Sequence, residues 1–113
     1  MNEWIKDAPL AVTVCDENGI ITEMNGKAGK TFEKYGGRGL IGSNLLDCHP
    51  EPSKAKLKKM LADPSAPPNA YTIEKNGAKK LIYQFAFKKD GGPAGLAELS
   101  LEIPFDMPHF VRK

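Results

Sequence analysis

The chain is short of the residues that most protein chemistry uses. Its 113 residues include two cysteines, two histidines and one tryptophan. Cys15 and Cys48 form no Cys-x-x-Cys pair, which argues against a redox couple or a zinc site and suits a reducing, cytoplasmic setting. Arginine is nearly missing: apart from Arg38 and Arg112, the positive charge is lysine, and the formal net charge is only +2. No nucleic-acid partner is expected from so small and so scattered an excess. Long apolar runs are lacking too. The longest, Leu10 to Cys15, is interrupted by Thr13 and falls far below a bilayer span, so no membrane partner is expected. The opening Met-Asn-Glu-Trp lacks the basic and apolar regions of a signal peptide. There is no phosphate-binding loop, since Gly36-Gly37-Arg38-Gly39 has neither a strand before it nor Lys-Ser/Thr after it.

Turn chemistry is what the sequence has. Hydrophobic content of 41% and charged content of 27% describe an ordinary globular domain with one modest core. Within it, Asn18-Gly19, Asn76-Gly77 and Asp90-Gly91 each separate two strand-like runs, and such pairs tolerate the positive φ of tight hairpins. The first joins Leu10–Cys15 to Ile20–Met24. The other two tie Tyr71–Lys75, Leu81–Lys88 and Gly95–Ile103 into a meander. The stretch 25–69 between them has helical signals and no strand.

Asn2 is placed to cap a short helix with Trp4, Ile5 and Ala8, stopped by Pro9. Asn25 is placed to cap a second, with Ala28, Phe32 and Tyr35 on its face, ended by Gly36-Gly37. After a connector over Leu40–Leu46, a third helix is expected from Pro52 to Asp63. Leu57, Met60 and Leu61 form its apolar stripe, and Lys54, Lys56, Lys58 and Lys59 its solvated side. In the meander, Leu81, Tyr83, Phe85 and Phe87 alternate with Ile82, Gln84 and Ala86. Ala97, Leu99, Leu101 and Ile103 alternate with Glu98, Ser100 and Glu102. The sheet is expected to turn its strongly apolar face to the helices, leaving Glu74, Glu98 and Glu102 to solvent.

Two strands, helices, then three strands is the element order of a PAS domain, and local sequence resembles that family. Val14-Cys15-Asp16-Glu17-Asn18-Gly19-Ile20 through Asn25 is similar to its opening strand, Asp-x-x-Gly turn and following Asn. Leu40-Ile41-Gly42-Ser43-Asn44-Leu45-Leu46-Asp47 is similar to its hydrophobic-Gly-x-x-hydrophobic segment. Cys48-His49-Pro50-Glu51 falls where many members carry His-Pro before the long helix. The resemblance covers roughly Ala8 to Pro104. It implies an α+β fold, a five-stranded antiparallel sheet with helices on one face in the order β-β-α-α-α-β-β-β, and a ligand-sized pocket between the layers. Residues 1–113 then form one domain, with a cap helix over 1–9, a core over 10–104 and a tail over 105–113.

No cofactor follows from the residues. The Leu40–Leu46 region lacks the Asn-Cys-Arg-Phe-Leu-Gln-like motif of flavin-binding LOV members, and Cys48 lacks the Tyr/Glu companions of the covalent-chromophore class. Haem-binding members place a histidine within the long helix, which here has none; His49 precedes Pro50, and a structural or surface role is expected for it rather than metal or haem ligation. His109 lies in the polar tail. Neither Cys48 beside His49 nor any strand carboxylate forms a catalytic constellation, so an enzyme is not expected. Cys15 reads as a small buried hydrophobe.

Two functions fit a PAS module: sensing a small molecule, or structural pairing with a partner and no ligand. A pocket is expected from Met24, Phe32, Leu45, Leu57, Met60, Leu61, Tyr83, Phe85 and Leu99, holding a small apolar or aromatic molecule. A homodimer interface is expected from Trp4, Ile5, Ala11, Thr13, Ile82 and Ala86. With no output segment in the sequence, a separate effector protein is the expected recipient of any signal, unless the sequence is an excised piece of a larger protein.

Overall fold

The computed structural model describes residues 1–113 with the exception of the Cys48 side chain, so the thiolate and metal roles weighed for Cys48 lie outside the described residues. The elements are α1 (Glu3–Lys6), β1 (Ala11–Asp16), β2 (Ile21–Met24), α2 (Gly26–Thr31), three 3-10 turns (Glu33–Tyr35, Gly37–Leu40, Leu45–Cys48), α3 (Ser53–Ala62), β3 (Asn69–Lys75), β4 (Ala78–Lys89) and β5 (Gly92–Ile103). The five strands form one antiparallel sheet in the order β2-β1-β5-β4-β3, with helices on one face.

The turn residues do what their chemistry allows. Asn76 and Gly77, and likewise Asp90 and Gly91, all adopt positive φ, as a two-residue hairpin that follows the strand twist requires. At Asn18-Gly19 only the glycine does. There the Asp16 carboxylate holds the turn, accepting from the Asn18 and Ile20 N–H groups at 2.9 and 3.0 Å.

Asn25 caps α2 as expected, its Oδ1 accepting from the Ala28 N–H at 3.0 Å. It does more than cap. The same oxygen accepts from the Val12 N–H, and Nδ2 donates to the carbonyls of Ile5 and Leu10 at 2.8 Å. One buried side chain therefore ties α1, β1 and α2 together. Asn2 makes no capping bond.

Leu57, Met60 and Leu61 of α3 pack with Ala11, Cys15, Ile21, Met24 and Leu96 in one core. Each leucine, isoleucine or methionine among them contributes roughly 1.5–3 kcal/mol by leaving water. Beneath them β1 and β5 approach so closely at Gly95 that a Cβ there would stand 2.0 Å from the Cys15 carbonyl oxygen. Only glycine fits.

The sheet corrects one expectation outright. Leu81, Tyr83, Phe85 and Phe87 do share a face with Ala97, Leu99, Leu101 and Ile103, but that face points away from the helices. Directly opposed residues share a face, and the register opposes Cys15 to Leu96, Thr13 to Glu98 and Ala11 to Ser100, then Gln84 to Glu98 and Ile82 to Ser100. Because Ala11, Cys15 and Leu96 belong to the helix-covered core, so do Ile82, Gln84, Glu98 and Ser100. Glu98 is 8% exposed rather than solvent-facing. The outer face keeps Tyr83 at 36% exposure and Phe85, Leu99 and Leu101 half-buried.

Candidate functional site

Thr13, Glu98, Gln84 and Asn69 are successive cross-strand neighbours on β1, β5, β4 and β3, and they form a polar row under the helices. A charge or amide buried there must find partners, and these do. Asn69 Nδ2 donates to Gln84 Oε1 at 2.9 Å, and Gln84 Nε2 donates to Glu98 Oε2 at 2.8 Å. From the helical side His49, at the end of the third 3-10 turn, brings Nε2 to 3.5 Å from the same carboxylate oxygen. Its Nδ1 lies 2.9 Å from the Leu45 carbonyl. The hydrogen bond with Glu98 raises the His49 pKa above its ordinary value, outweighing the opposing effect of burial. The imidazole ring is thus biased toward its charged form beside a carboxylate.

Glu98 borders two spaces. A small cavity of about 100 Å³ lies among Ile21, Met24, Phe32, Leu40 and Leu45, with Thr13, His49 and Glu98 as its polar groups. A larger, open cleft of about 580 Å³ runs from Glu98 toward the β3–β4 hairpin. Thr31, Phe32, Lys34 and Tyr35 form one wall of it; Ile73, Lys75, Lys80 and Ile82 stand on the other, with Ser100 and Glu102 on β5. Phe32 and Glu98 line both spaces.

Of the residues expected to line a pocket, Met24, Phe32 and Leu45 border the small cavity. Leu57, Met60 and Leu61 are core residues of α3, Leu57 also reaching a groove beside Tyr71 and Gln84. Tyr83, Phe85 and Leu99 stand on the opposite side of the sheet from both spaces, because the helices cover the even-numbered face of β4 and β5. The same inversion relocates the expected dimer residues. Ala11, Thr13 and Ile82 are buried beneath the helices, and Ala86 is on that side too. Trp4 remains 72% exposed on α1 and Ile5 half-buried.

Sequence reasoning missed Glu98, Gln84 and Asn69, and it left His49 aside. The row was hidden because the sequence reading turned its face of β4 and β5 to solvent, and a one-residue irregularity between Phe87 and Lys88 sets its register. A strict two-residue turn at Asp90-Gly91 would oppose Gln84 to Ala97, and only the bulge brings it to Glu98. Cys15 is fully buried, and burial pushes its thiol pKa up to about 11, so it carries no nucleophile.

No protein-family model matches the sequence, and no curated protein matches it. Solved structures do match. A C-terminal domain from Streptococcus mutans superposes with a TM-score of 0.66 at 18% identity, over 86% of this chain and 78% of that one. The Aer2 receptor of Vibrio cholerae, described as a dual PAS-heme oxygen sensor, gives 0.61 at 17% identity over 84% and 95%. The PAS domain of Bordetella pertussis BvgS gives 0.60 at 12% identity over 88% and 81%. The fold is PAS-like. Identities this low establish the architecture and leave the function to the site. In this PAS-like fold the polar row and both spaces lie between the sheet and the helical layer. No helix among the described residues is long and apolar enough to cross a membrane.

Proposed function

We propose that this chain is a PAS-type sensory module that takes a small molecule into the cleft beside Glu98 and passes its occupancy to a second copy or an effector protein. One observation carries the reading: beneath the helices the sheet buries Glu98 with the Gln84 and Asn69 amides, and Glu98 borders a cleft of about 580 Å³, while Tyr83 and Phe85 stand on the outer face. A domain shaped by stability alone would do the opposite, and such inversions are expected where function demands them. The neighbours described as sensors have the same architecture, which supports the reading by analogy. Binding rather than catalysis fits the residues, since burial raises the Cys15 thiol pKa to about 11 and keeps it protonated. Haem suits the site poorly, because both ring nitrogens of His49 already face protein oxygens.

A second reading, a structural module that pairs through its sheet and binds nothing, is favoured by the half-exposed Tyr83, Phe85, Leu99 and Leu101. Such a patch gains about 25 cal/mol for each Å² a partner covers. Mass spectrometry separates the two, applied first to the native protein and then to its solvent extract. A stoichiometric small molecule in both supports the sensor. An empty protein whose melting temperature no compound of a broad metabolite panel shifts supports the structural module.

A further inference from the structure

We infer that the ligand of the cleft is a small planar organic acid that also carries an N–H donor. The inference rests on the sensory reading and gives its ligand a chemical class. Three features of the cleft each demand one part of such a molecule.

Its depth demands a donor. Glu98 Oε2 accepts from Gln84 and faces His49, whereas Oε1 has no protein partner among the described residues. No polar atom there is sealed from solvent without a partner, so Oε1 reaches solvent, and the cleft is one of the two spaces that Glu98 borders. A carboxylate that is otherwise desolvated gains most from an N–H aimed at its free oxygen.

The walls demand a flat apolar body. Phe32 and Tyr35 face Ile73 and Ile82 across the cleft. An aromatic or heteroaromatic ring between them is held by burial on both faces.

At the rim an anion is needed. Lys34, Lys75 and Lys80 line the cleft, and none of them is in an ion pair among the described residues. Lys80 stays unpaired although Glu102 is its direct cross-strand neighbour. Three ammonium groups at one mouth, Lys34 over the Tyr35 ring at 5.9 Å and Lys75 and Lys80 without an ion pair among the described residues, favour a carboxylate and disfavour a cation of the same shape. The acid end therefore stays at the lysines and the N–H reaches Glu98.

Indole-3-acetate has all three parts and serves as the probe. Naphthalene-1-acetate lacks the donor, and tryptamine replaces the anion with a cation. Calorimetric titration of the full chain is expected to show indole-3-acetate binding about tenfold or more tightly than either analogue, the ratio that one charge-assisted hydrogen bond supplies. The double substitution Lys75→Gln, Lys80→Gln is expected to remove about tenfold of that affinity. Ser100→Trp, which fills the cleft, should abolish binding, and Thr31→Trp on the facing wall gives the same readout should Ser100→Trp not fold. Equal binding of tryptamine, no binding of the indole acid, or affinity untouched by the lysine substitutions overturns the ligand class. If both blocking variants leave indole-3-acetate affinity unchanged, the cleft reading itself falls. A different molecule found on the native protein and displaced by those variants would keep the cleft and reject the acid.

Discussion

Gln84 Nε2 donates to Glu98 Oε2 at 2.8 Å between neighbouring strands, beneath the helices and on the face that hairpin alternation alone assigns to solvent. Gln84 is 2% exposed, and its other amide end is occupied by Asn69. Removing Gln84 therefore takes the donor from a buried carboxylate oxygen, leaving it His49 alone, and takes the acceptor from Asn69. Gln84→Leu is expected to lower the unfolding free energy by about 1–3 kcal/mol. Glu98→Gln keeps an acceptor for Gln84 and should cost less than Gln84→Leu does. Urea titrations of both variants check the order, and a neutral Gln84→Leu would show that the row is not structural.

His49 makes stability depend on pH. Its folded pKa is raised, chiefly by Glu98. A raised pKa stabilises the fold fully below the unfolded value of about 6.5 and ceases to do so as pH climbs through the folded value. The stability gap between the wild type and His49→Gln should thus be widest near pH 5.5 and shrink toward pH 9. In Glu98→Gln, the imidazole titration followed by NMR should move to lower pH. A gap that grows with pH would contradict the pairing.

Gly95 tests the contact between β1 and β5. Its missing Cβ would stand 2.0 Å from the Cys15 carbonyl oxygen and 2.9 Å from the Phe87 ring. Gly95→Ala must push two central strands apart, and a loss of about 3 kcal/mol or more is expected. Thermal melts read this directly. Gly39→Ala, with open space around its Cβ, is the control and should change little.

Asn25 is a further point of failure. Its side chain bonds Val12, Ala28, Ile5 and Leu10 at once. Loss of a helix cap alone costs about 1 kcal/mol. Asn25→Ala should exceed that and should raise amide exchange in α1 before the rest of the chain, because two of the four bonds hold the residues around it.

The outer sheet face predicts self-association in the proposed function. Tyr83→Glu places a charge on a residue already 36% exposed, so the melting temperature should move by only a few degrees. Light scattering at high micromolar concentration should show a dimer for the wild type and a monomer for the variant. Trp4→Ala, on the exposed side of α1, should weaken the same association. A monomeric wild type under those conditions excludes it.

The order of elements was legible from local chemistry. Asn-Gly and Asp-Gly pairs carry their own backbone preference, Asn25 caps a helix wherever apolar spacing begins one, and Leu57, Met60 and Leu61 fall at helical intervals in any context. The sequence alone could therefore set two strands, a helical middle and a meander, and could sort odd from even residues along β4 and β5. It could not decide which of those sets the helices cover. Alternation is symmetric between faces, and only the contact of Ala11, Cys15 and Leu96 with α3 breaks that symmetry. The candidate site was hidden for the same reason. Glu98 becomes a buried acceptor because a bulge at Phe87–Lys88 aligns it with Gln84 and because a turn from the other end of the helical layer sets His49 above it. Those partners are far apart in the chain, and nothing local to any of them encodes the meeting.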